Sequence, residues 1–452
     1  MQSAYYSSLS VEEKAQFLWM NKEMLAPMVR ASTTPLRTLA LKYNADVVYS
    51  EEIVDRSISN CDRVENMTLG TIDYVRKAAG FSEKQLRKMR GGSSSSAELN
   101  LPVILRVAPQ LECDKFVLQI GTGEPVLALQ AAKKVERDVS AIDINMGCPK
   151  KFSTSGGMGS ALLKDVHRAC DIIKHLRRNL STVPISAKIR LLEDTKSTID
   201  FVKALEFAGV NAVCIHAREV GHESTTPASW NRLEPVVSSL TVPTIVNGDM
   251  YTREDISTVK ELSGADSIML ARPALYNTSI FRTRVRKRPM TSHEETNVDA
   301  PAPDATTTPD TLLLNKSLVI QDYLMEAIRW DSNPQNVKYV ICEMMSNRRA
   351  PVNRVISLPQ EYPNGQTIAA VCSCKSLESL GKLWDVRVSQ NLDGITYNNT
   401  WIDMWIRGGR RKGTSTEQNY DDDYFLHPEK FHRQKQPRVD VGSDEMPLGR
   451  NE

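Results

Sequence analysis

The 452-residue sequence predicts an α/β fold, a (β/α)8 TIM barrel with a C-terminal helical domain. Three observations carry this. Eight short runs rich in β-branched residues begin near residues 24, 47, 116, 141, 185, 212, 244 and 267. Each is followed by a stretch with helical spacing, and strand–helix alternation implies a parallel sheet. Eight such units in roughly 260 residues match one barrel. A doubly wound sheet is the alternative, but no G-x-G-x-x-G follows an early strand.

Met24–Val29 (MLAPMV) opens the barrel, and a helix is predicted over Pro35–Tyr43, with proline at its first turn. Val47–Ser50 is the second strand. Residues 80–100 hold a Gly/Ser-rich insert that reads as a flexible loop. Val103–Val107 (VILRV) reads as a strand paired locally in a hairpin and not part of the main sheet. Phe116–Gly121 is the third barrel strand.

A regular rhythm follows. Helix 124–135 leads to strand Ala141–Asn145, helix 159–179 to strand 185–190, and helix 195–208 to strand 212–216. Helix 230–240 then leads to strand 244–247, helix 251–263 to strand 267–270, and helix 273–281 closes the series. Gly209 and Gly264 stand where a helix C-terminus favours glycine.

The barrel is therefore assigned to 21–283. Residues 284–310, polar and rich in Pro and Thr, read as a disordered linker. Helical spacing resumes at 317–330, 335–345 and 368–383, giving a helical domain over 311–385. The tail 386–452 is weakly patterned, with a basic patch, RGGRRKG, at 407–413 and three aspartates at 421–423.

Composition narrows the function classes. The apolar fraction of 41% supports a sizeable core, and no uncharged apolar run reaches the length of a membrane span. The N-terminus lacks a basic region followed by an apolar core, so no secretory signal is expected. A reducing compartment fits: the cytoplasm, with the nucleus as a second compartment if RVRKR at 284–288 serves as an import signal. The net charge of +2 neither requires nor excludes nucleic acid. The eight cysteines are scattered, and Cys372-Ser373-Cys374 lacks a second pair to complete a zinc site, so no metal is expected.

The strand ends carry the chemistry, because barrel sites form at the C-terminal face. Met28, Gln119, Asn145, Lys188, Arg190, His216, Asn247 and the pair Ala271-Arg272 fall there. Such a convergence of polar types points to a polar ligand at the mouth. Asn247-Gly248-Asp249 and Ala271-Arg272 follow the seventh and eighth strands, where barrels commonly bind phosphate. Lys188 either faces outward or points inward as a cation facing an anion. His216 is either a satisfied core histidine or a functional one.

Cys148 differs from the other cysteines: it lies between Gly147 and Pro149, on a turn. It could be structural, a nucleophile needing a nearby base, or a general acid needing its proton. The following KKFSTSGGMG, 150–159, reads as a flexible lid or a solvated loop.

LAPMVR, DINMGCPKKFSTSGGMGSALL, KIR, IHAR and VNG occur in this order. With them the chain resembles the tRNA-dihydrouridine synthase family over about 21–285 and into 311–350, most closely the eukaryotic branch acting on position 20 in its fungal form. The resemblance implies FMN as cofactor, NADPH (or NADH) as reductant and tRNA as substrate and partner, on a monomer with no membrane association. It implies that Pro27, Met28 and Val29 line the flavin, that Gln119, Lys188 and His216 contact its ring system, and that Asn247, Gly248, Asp249, Ala271 and Arg272 hold its phosphate. Asn145, Arg190 and Arg218 become substrate contacts, and Cys148 the donor of a proton to C5 as hydride reaches C6. The helical domain then binds tRNA.

Two departures stand out: Asp249 replaces a glycine common in the family, and IHAR replaces VHGR. No double-stranded-RNA-binding domain is recognisable. The competing classes are an FMN barrel reducing a small pyrimidine and a barrel that only binds RNA. The helical domain and basic patches speak against the first, and Cys148, Lys188 and His216 against the second.

Overall fold

The computed structural model describes residues 2–82, 86, 101–223, 225–282, 313–346 and 365–386. The linker 284–310, the RVRKR cluster, most of the Gly/Ser insert and the tail patches lie outside the described residues.

In chain order the strands are β1 (Glu23–Leu25), β2 (Val47–Tyr49), β3 (Ile53–Val54), β4 (Cys61–Asn66), β5 (Thr71–Arg76), β6 (Val103–Val107) and β7 (Phe116–Gly121). They continue as β8 (Ala141–Asn145), β9 (Ile185–Leu191), β10 (Ala212–Glu219), β11 (Thr244–Asn247) and β12 (Ser267–Leu270). Eight of them pair in parallel in the order β2-β1-β12-β11-β10-β9-β8-β7, and β7 pairs back to β2, closing the barrel. These are the eight strands the sequence pattern predicts. Two-residue β3 adds to the end of β7. β4, β5 and β6 form a separate antiparallel sheet, so Val103–Val107 does pair locally.

Alternation along each strand sorts side chains between two cores. Leu118, Ile120, Ile142, Ile144, Ala187 and Ile189 face the surrounding helices. Val117, Ala141, Cys214, Ile245 and Met269 fill the barrel interior. That interior core is completed by Tyr6, Ala15, Leu18 and Trp19, from helices Ala4–Ser8 and Val11–Trp19. The second of these helices starts in a capping box, the Ser10 side chain accepting from the Glu13 N–H and Glu13 accepting from Ser10. Trp19 Nε1 donates to Tyr49 Oη at 2.9 Å, so the indole is buried with its polar atom satisfied. Each large apolar side chain buried this way contributes about 2–3 kcal/mol. The lower barrel is thus largely apolar and filled.

Several helices differ from the sequence pattern at their breaks. The stretch 159–179 splits into a 3-10 turn, Gly159–Lys164, and helix Val166–Asn179, because Asp165 caps the second by accepting from the Arg168 N–H. The stretch 368–383 is two helices, Ile368–Ser373 and Leu377–Leu383, the latter capped by Ser376. Helices Thr195–Ala208 and Arg253–Ser263 end as expected at Gly209 and Gly264, both at positive φ.

Helix Lys316–Arg329 docks beside the first barrel helix, Thr34–Lys42, and helix Pro334–Ser346 packs against Lys316–Arg329 and the short helix Arg272–Tyr276 after β12. Thr38 Oγ1 donates to Glu326 Oε2 at 2.7 Å, and Trp330 Nε1 donates to the same carboxylate oxygen at 3.0 Å. Arg30, at φ 67 on the turn after β1, lays its guanidinium over the Tyr339 ring, 4.6 Å from its centre. The helical segment therefore reaches the barrel mouth next to Pro27–Val29.

Candidate active site

The register of the barrel brings the predicted residues together. Asn145 lies opposite Lys188, and His216 lies between Arg190 on β9 and Asn247 on β11. Gln119 lies opposite Asp143, inside β7 and not at its end. Met28 lies beyond β1 on a turn, where Ser32 Oγ accepts the Met28 N–H at 3.1 Å and donates to Ala26 O at 2.7 Å. Pro27, Met28 and Val29 are all half-buried there.

One side of the mouth is charged. A small open cavity lies between the ends of β10, β11 and β12, lined by His216, Arg218, Asn247, Gly248, Asp249, Ala271 and Arg272 among others. Gly248 has φ 137, and a Cβ there would come within 3.1 Å of the Ala228 side chain. Asp249 follows at φ 56, a conformation that aspartate tolerates better than most side chains. Its Oδ1 accepts from Arg272 Nη2 at 2.6 Å, while Oδ2 accepts from Arg218 Nη2 and from the Ala228 N–H at 2.9 Å. Two guanidinium groups against one carboxylate leave the cavity net cationic.

Arg218, expected among the substrate contacts, has a different place. Its side chain is 3% exposed, and it donates to Thr226 O and Asp249. A guanidinium so committed holds the Asp249 loop while itself lining the cavity. Its Nη1 also lies 3.3 Å from His216 Nε2, which leaves Nε2 as acceptor and the ring proton on Nδ1. Burial, with Lys188, Arg190, Arg218 and Arg272 around it, pushes protonation of His216 well below its usual range, so the imidazole is neutral.

Lys188 points inward, and its Nζ is 3.4 Å from Asn247 Oδ1. Asn247 Nδ2 donates to Met269 O at 2.7 Å, so this amide ties β9, β11 and β12 together. Across the barrel, Gln119 Nε2 donates to Asp143 Oδ2 at 2.7 Å, and Ser186 Oγ donates to Asp143 Oδ1 at 2.6 Å. Burial pushes the Asp143 carboxyl up to about 6, against these two hydrogen bonds and Lys188. Asp143 orients Gln119. The sequence reading placed no role on it, although its position two residues before Asn145 put it on the same face.

The other side of the mouth carries the thiol. Asn145 Oδ1 accepts the N–H groups of Gly147 and Cys148, at 2.9 and 3.0 Å, and its Nδ2 donates to Gln119 Oε1 at 3.3 Å. The amide is thus used to shape the turn that presents Cys148. Cys148 is half-buried, and burial together with Glu52 pushes its thiol up to about 11. At neutral pH it is a thiol and not a thiolate, which suits a proton donor and not a nucleophile. Arg190 lies beside it, with Nη1 donating to Glu219 O at 3.0 Å; burial and Arg218 pull it down to about 10, still charged at neutral pH.

The segment expected as a flexible loop is folded. Lys151–Thr154 forms a helical turn with Ser153 fully buried. Gly159, at φ 58, leaves no room for a Cβ between Ser153 Oγ and Cys148. Ser160 N–H closes the turn by donating to Cys148 O at 2.9 Å. Glu52 and Ser153 were not singled out from sequence; nothing in their local pattern separates them from surface residues.

Fold and site together define a TIM barrel with a net cationic cavity at its mouth and a protonated thiol on the same rim. Residues 97–308 match the family model described as Dihydrouridine synthase (Dus). It is 32% identical over 336 residues, 72% of this chain and 60% of the relative, to a tRNA-dihydrouridine(20) synthase [NAD(P)+] of Schizosaccharomyces pombe. It is 39% identical over 241 residues, 52% of this chain and 59% of the relative, to the protein of the same description in Saccharomyces cerevisiae. A human tRNA-dihydrouridine(20a/20b) synthase [NAD(P)+]-like protein is 26% identical over 57% of this chain and 70% of the relative. The chain spans about three fifths of the length of the two yeast relatives. Among the described residues there is no group of His, Cys, Asp and Glu able to hold a metal ion, and no helix is long and apolar enough to cross a membrane.

Proposed function

We propose that this protein reduces uridine to 5,6-dihydrouridine in tRNA, at position 20 of the D-loop, using FMN and NADPH, with NADH as a second reductant. The observation that carries the reading is Cys148, a thiol kept protonated on a turn at the end of β8, on the same rim as the cationic cavity. The two fungal relatives described as tRNA-dihydrouridine(20) synthases support the choice of position.

The donor set fits a phosphate-bearing flavin. The cavity is net cationic, and Gly248 on its wall carries no side chain to obstruct a ligand. Asn247, Gly248, Asp249, Ala271 and Arg272 would hold the phosphate, Gln119, Lys188 and His216 the ring, and Pro27, Met28 and Val29 one edge. When bound, FMN supplies the hydride taken up at C6 of the uracil.

The protein's own part is positioning and proton supply. Lys188 places a cation where negative charge develops. Neutral His216 offers a polar contact without competing for that charge. A uridine must leave its stack to enter such a mouth, as other base-modifying enzymes require. Cys148 then gives its proton to C5, and Arg190 is the cation beside it that steadies the emerging thiolate. The helical segment within 311–385, docked at the mouth through Arg30 and Tyr339, is the surface suited to the tRNA body. The protein acts as a monomer in the cytoplasm, with the nucleus as a second compartment.

Mass-spectrometric mapping of dihydrouridine in tRNA from cells lacking this protein tests the reading. Loss confined to position 20, restored by the intact gene but not by a Cys148→Ala copy, is the expected result. An unchanged dihydrouridine pattern would overturn it.

A further inference from the structure

The run Ser50-Glu51-Glu52 places two adjacent carboxyl groups at the mouth, and the reaction above uses neither. They are partnered separately. Glu51 Oε2 accepts the Arg30 N–H at 2.7 Å. Glu52 lies beneath the thiol turn, where its Oε1 accepts from Ser153 Oγ at 2.9 Å. Its other oxygen, Oε2, is buried with no hydrogen-bond partner. The packing is close: a Cβ on Gly121 would fall 2.5 Å from Glu52 Oε1.

Ser153 joins this carboxyl to the thiol. The space at Gly159 is bounded on one side by Ser153 Oγ and on the other by Cys148, whose Cβ is 3.2 Å away. The Cys148 side chain interacts with both Glu52 and Ser153. Thiol, hydroxyl and carboxyl therefore cluster beneath the mouth, the hydroxyl touching both of the others and the thiol touching the carboxyl as well. Arg190, from β9, is the cation facing the thiol.

A buried carboxylate with one oxygen unpartnered is costly, so burial raises Glu52 above its usual range and favours the acid. A hydroxyl can accept and donate at once, and its hydrogen turns freely. A thiol at about 11 holds its proton more tightly than any carboxylic acid here, so proton return from the acid to a thiolate is downhill.

We propose that Glu52 is the proton reservoir of Cys148, returning a proton through the Ser153 hydroxyl after each turnover. The step rests on Cys148 acting as the acid. The S–H bond breaks as C5 takes the proton. The Ser153 O–H proton then passes to the Cys148 sulfur while the Glu52 O–H proton passes to Ser153 Oγ. The Glu52 carboxylate takes its next proton from solvent water before the following cycle. No electrons move in this sequence.

The test uses the flavin-loaded full chain, a tRNA transcript and the variants Glu52→Gln and Ser153→Ala. The first turnover starts from a protonated thiol, so both variants should make it at the wild-type rate. Steady-state kcat should fall about 100-fold with KM unchanged, the size of a lost proton-transfer path at the lower end of its range. The iodoacetamide reaction of Cys148 supplies a readout free of flavin and tRNA. With the acidic group gone in Glu52→Gln, alkylation at pH 9 should speed up about tenfold, as expected for a thiol whose pKa drops by about one unit.

Wild-type steady-state turnover in both variants would overturn the relay. So would equal losses in the first and later turnovers, which mark a structural defect, or an unchanged alkylation profile. Should Glu52→Gln fail to fold, the turnover comparison in Ser153→Ala decides the matter. A wild-type protein that makes no dihydrouridine refutes the functional reading itself, an outcome distinct from active wild type with unaffected variants.

Discussion

At the ends of β10 to β12, charge is concentrated: Arg218 and Arg272 converge on Asp249, with Arg218 and Asp249 buried and Arg272 partly exposed. At the end of β8, burial dominates: Cys148, Ser153 and Glu52 meet as a thiol, a hydroxyl and a carboxyl that burial pushes toward its acid form, with Arg190 facing the thiol. One barrel rim thus carries two opposite solutions. A site that anchors an anion needs fixed cations, oriented by a buried partner so that they cost no reorganisation. A site that must keep a proton until it is used relies on burial, with Arg190 beside the thiol to steady the thiolate once it forms.

The largest test of this contrast is Cys148→Ala. Losing the acid should cost about 10²–10⁴-fold in dihydrouridine formation, measured with purified protein and transcript, while bound flavin stays at the wild-type level. A variant that also lost its flavin would mean the two sides are not separable.

On the charged side, Arg218→Met should act on stability. It strips a buried aspartate of one guanidinium, and breaking such a pair costs about 3–5 kcal/mol. The readout is the midpoint of thermal or urea unfolding; a shift no larger than that of a surface substitution would return Arg218 to the list of ligand contacts. Arg272→Ala leaves the Arg218 pair in place and should weaken FMN binding roughly tenfold, about the value of one charge-assisted hydrogen bond. Flavin fluorescence titration measures it.

The smallest effect lies between the two sides, at Asp143. Its folded pKa is raised, to about 6, so the folded state binds that proton more tightly than the unfolded chain does. The resulting stability is complete below about pH 4 and is lost as pH rises through about 6, with a slope of roughly 1 kcal/mol per pH unit. Asp143→Asn cannot ionise and should flatten the unfolding curve across that window. Retention of the wild-type slope would assign the pH dependence elsewhere.

Much of the scaffold was legible because period-two strands alternate with helical spacing and glycine stops. Gly209 and Gly264 end their helices at positive φ as read. The N-terminal plug was missed although its signal was present, in the Ser10–Glu13 capping box followed by Leu18 and Trp19. The hairpin partners of Val103–Val107 lacked a clean alternation, since β4 and β5 carry Asp62, Arg63, Glu65 and Asp73 among their apolar residues. Asp249 in place of glycine is accounted for by its φ of 56 and by its two arginine partners, neither visible in a linear motif.

The sequence by itself determined the eight-strand barrel, the polar mouth and the position of Cys148 on a turn, because strand period, turn residues and short motifs are local properties. Only the tertiary structure decided what those groups face. It buried Arg218 against Asp249, turned Asn145 onto the Cys148 turn, and brought Glu52, about 100 residues earlier, beneath the thiol through Ser153. Protonation follows burial and neighbours brought together by folding, so the state of Cys148 as acid could not be read from its neighbours in the chain.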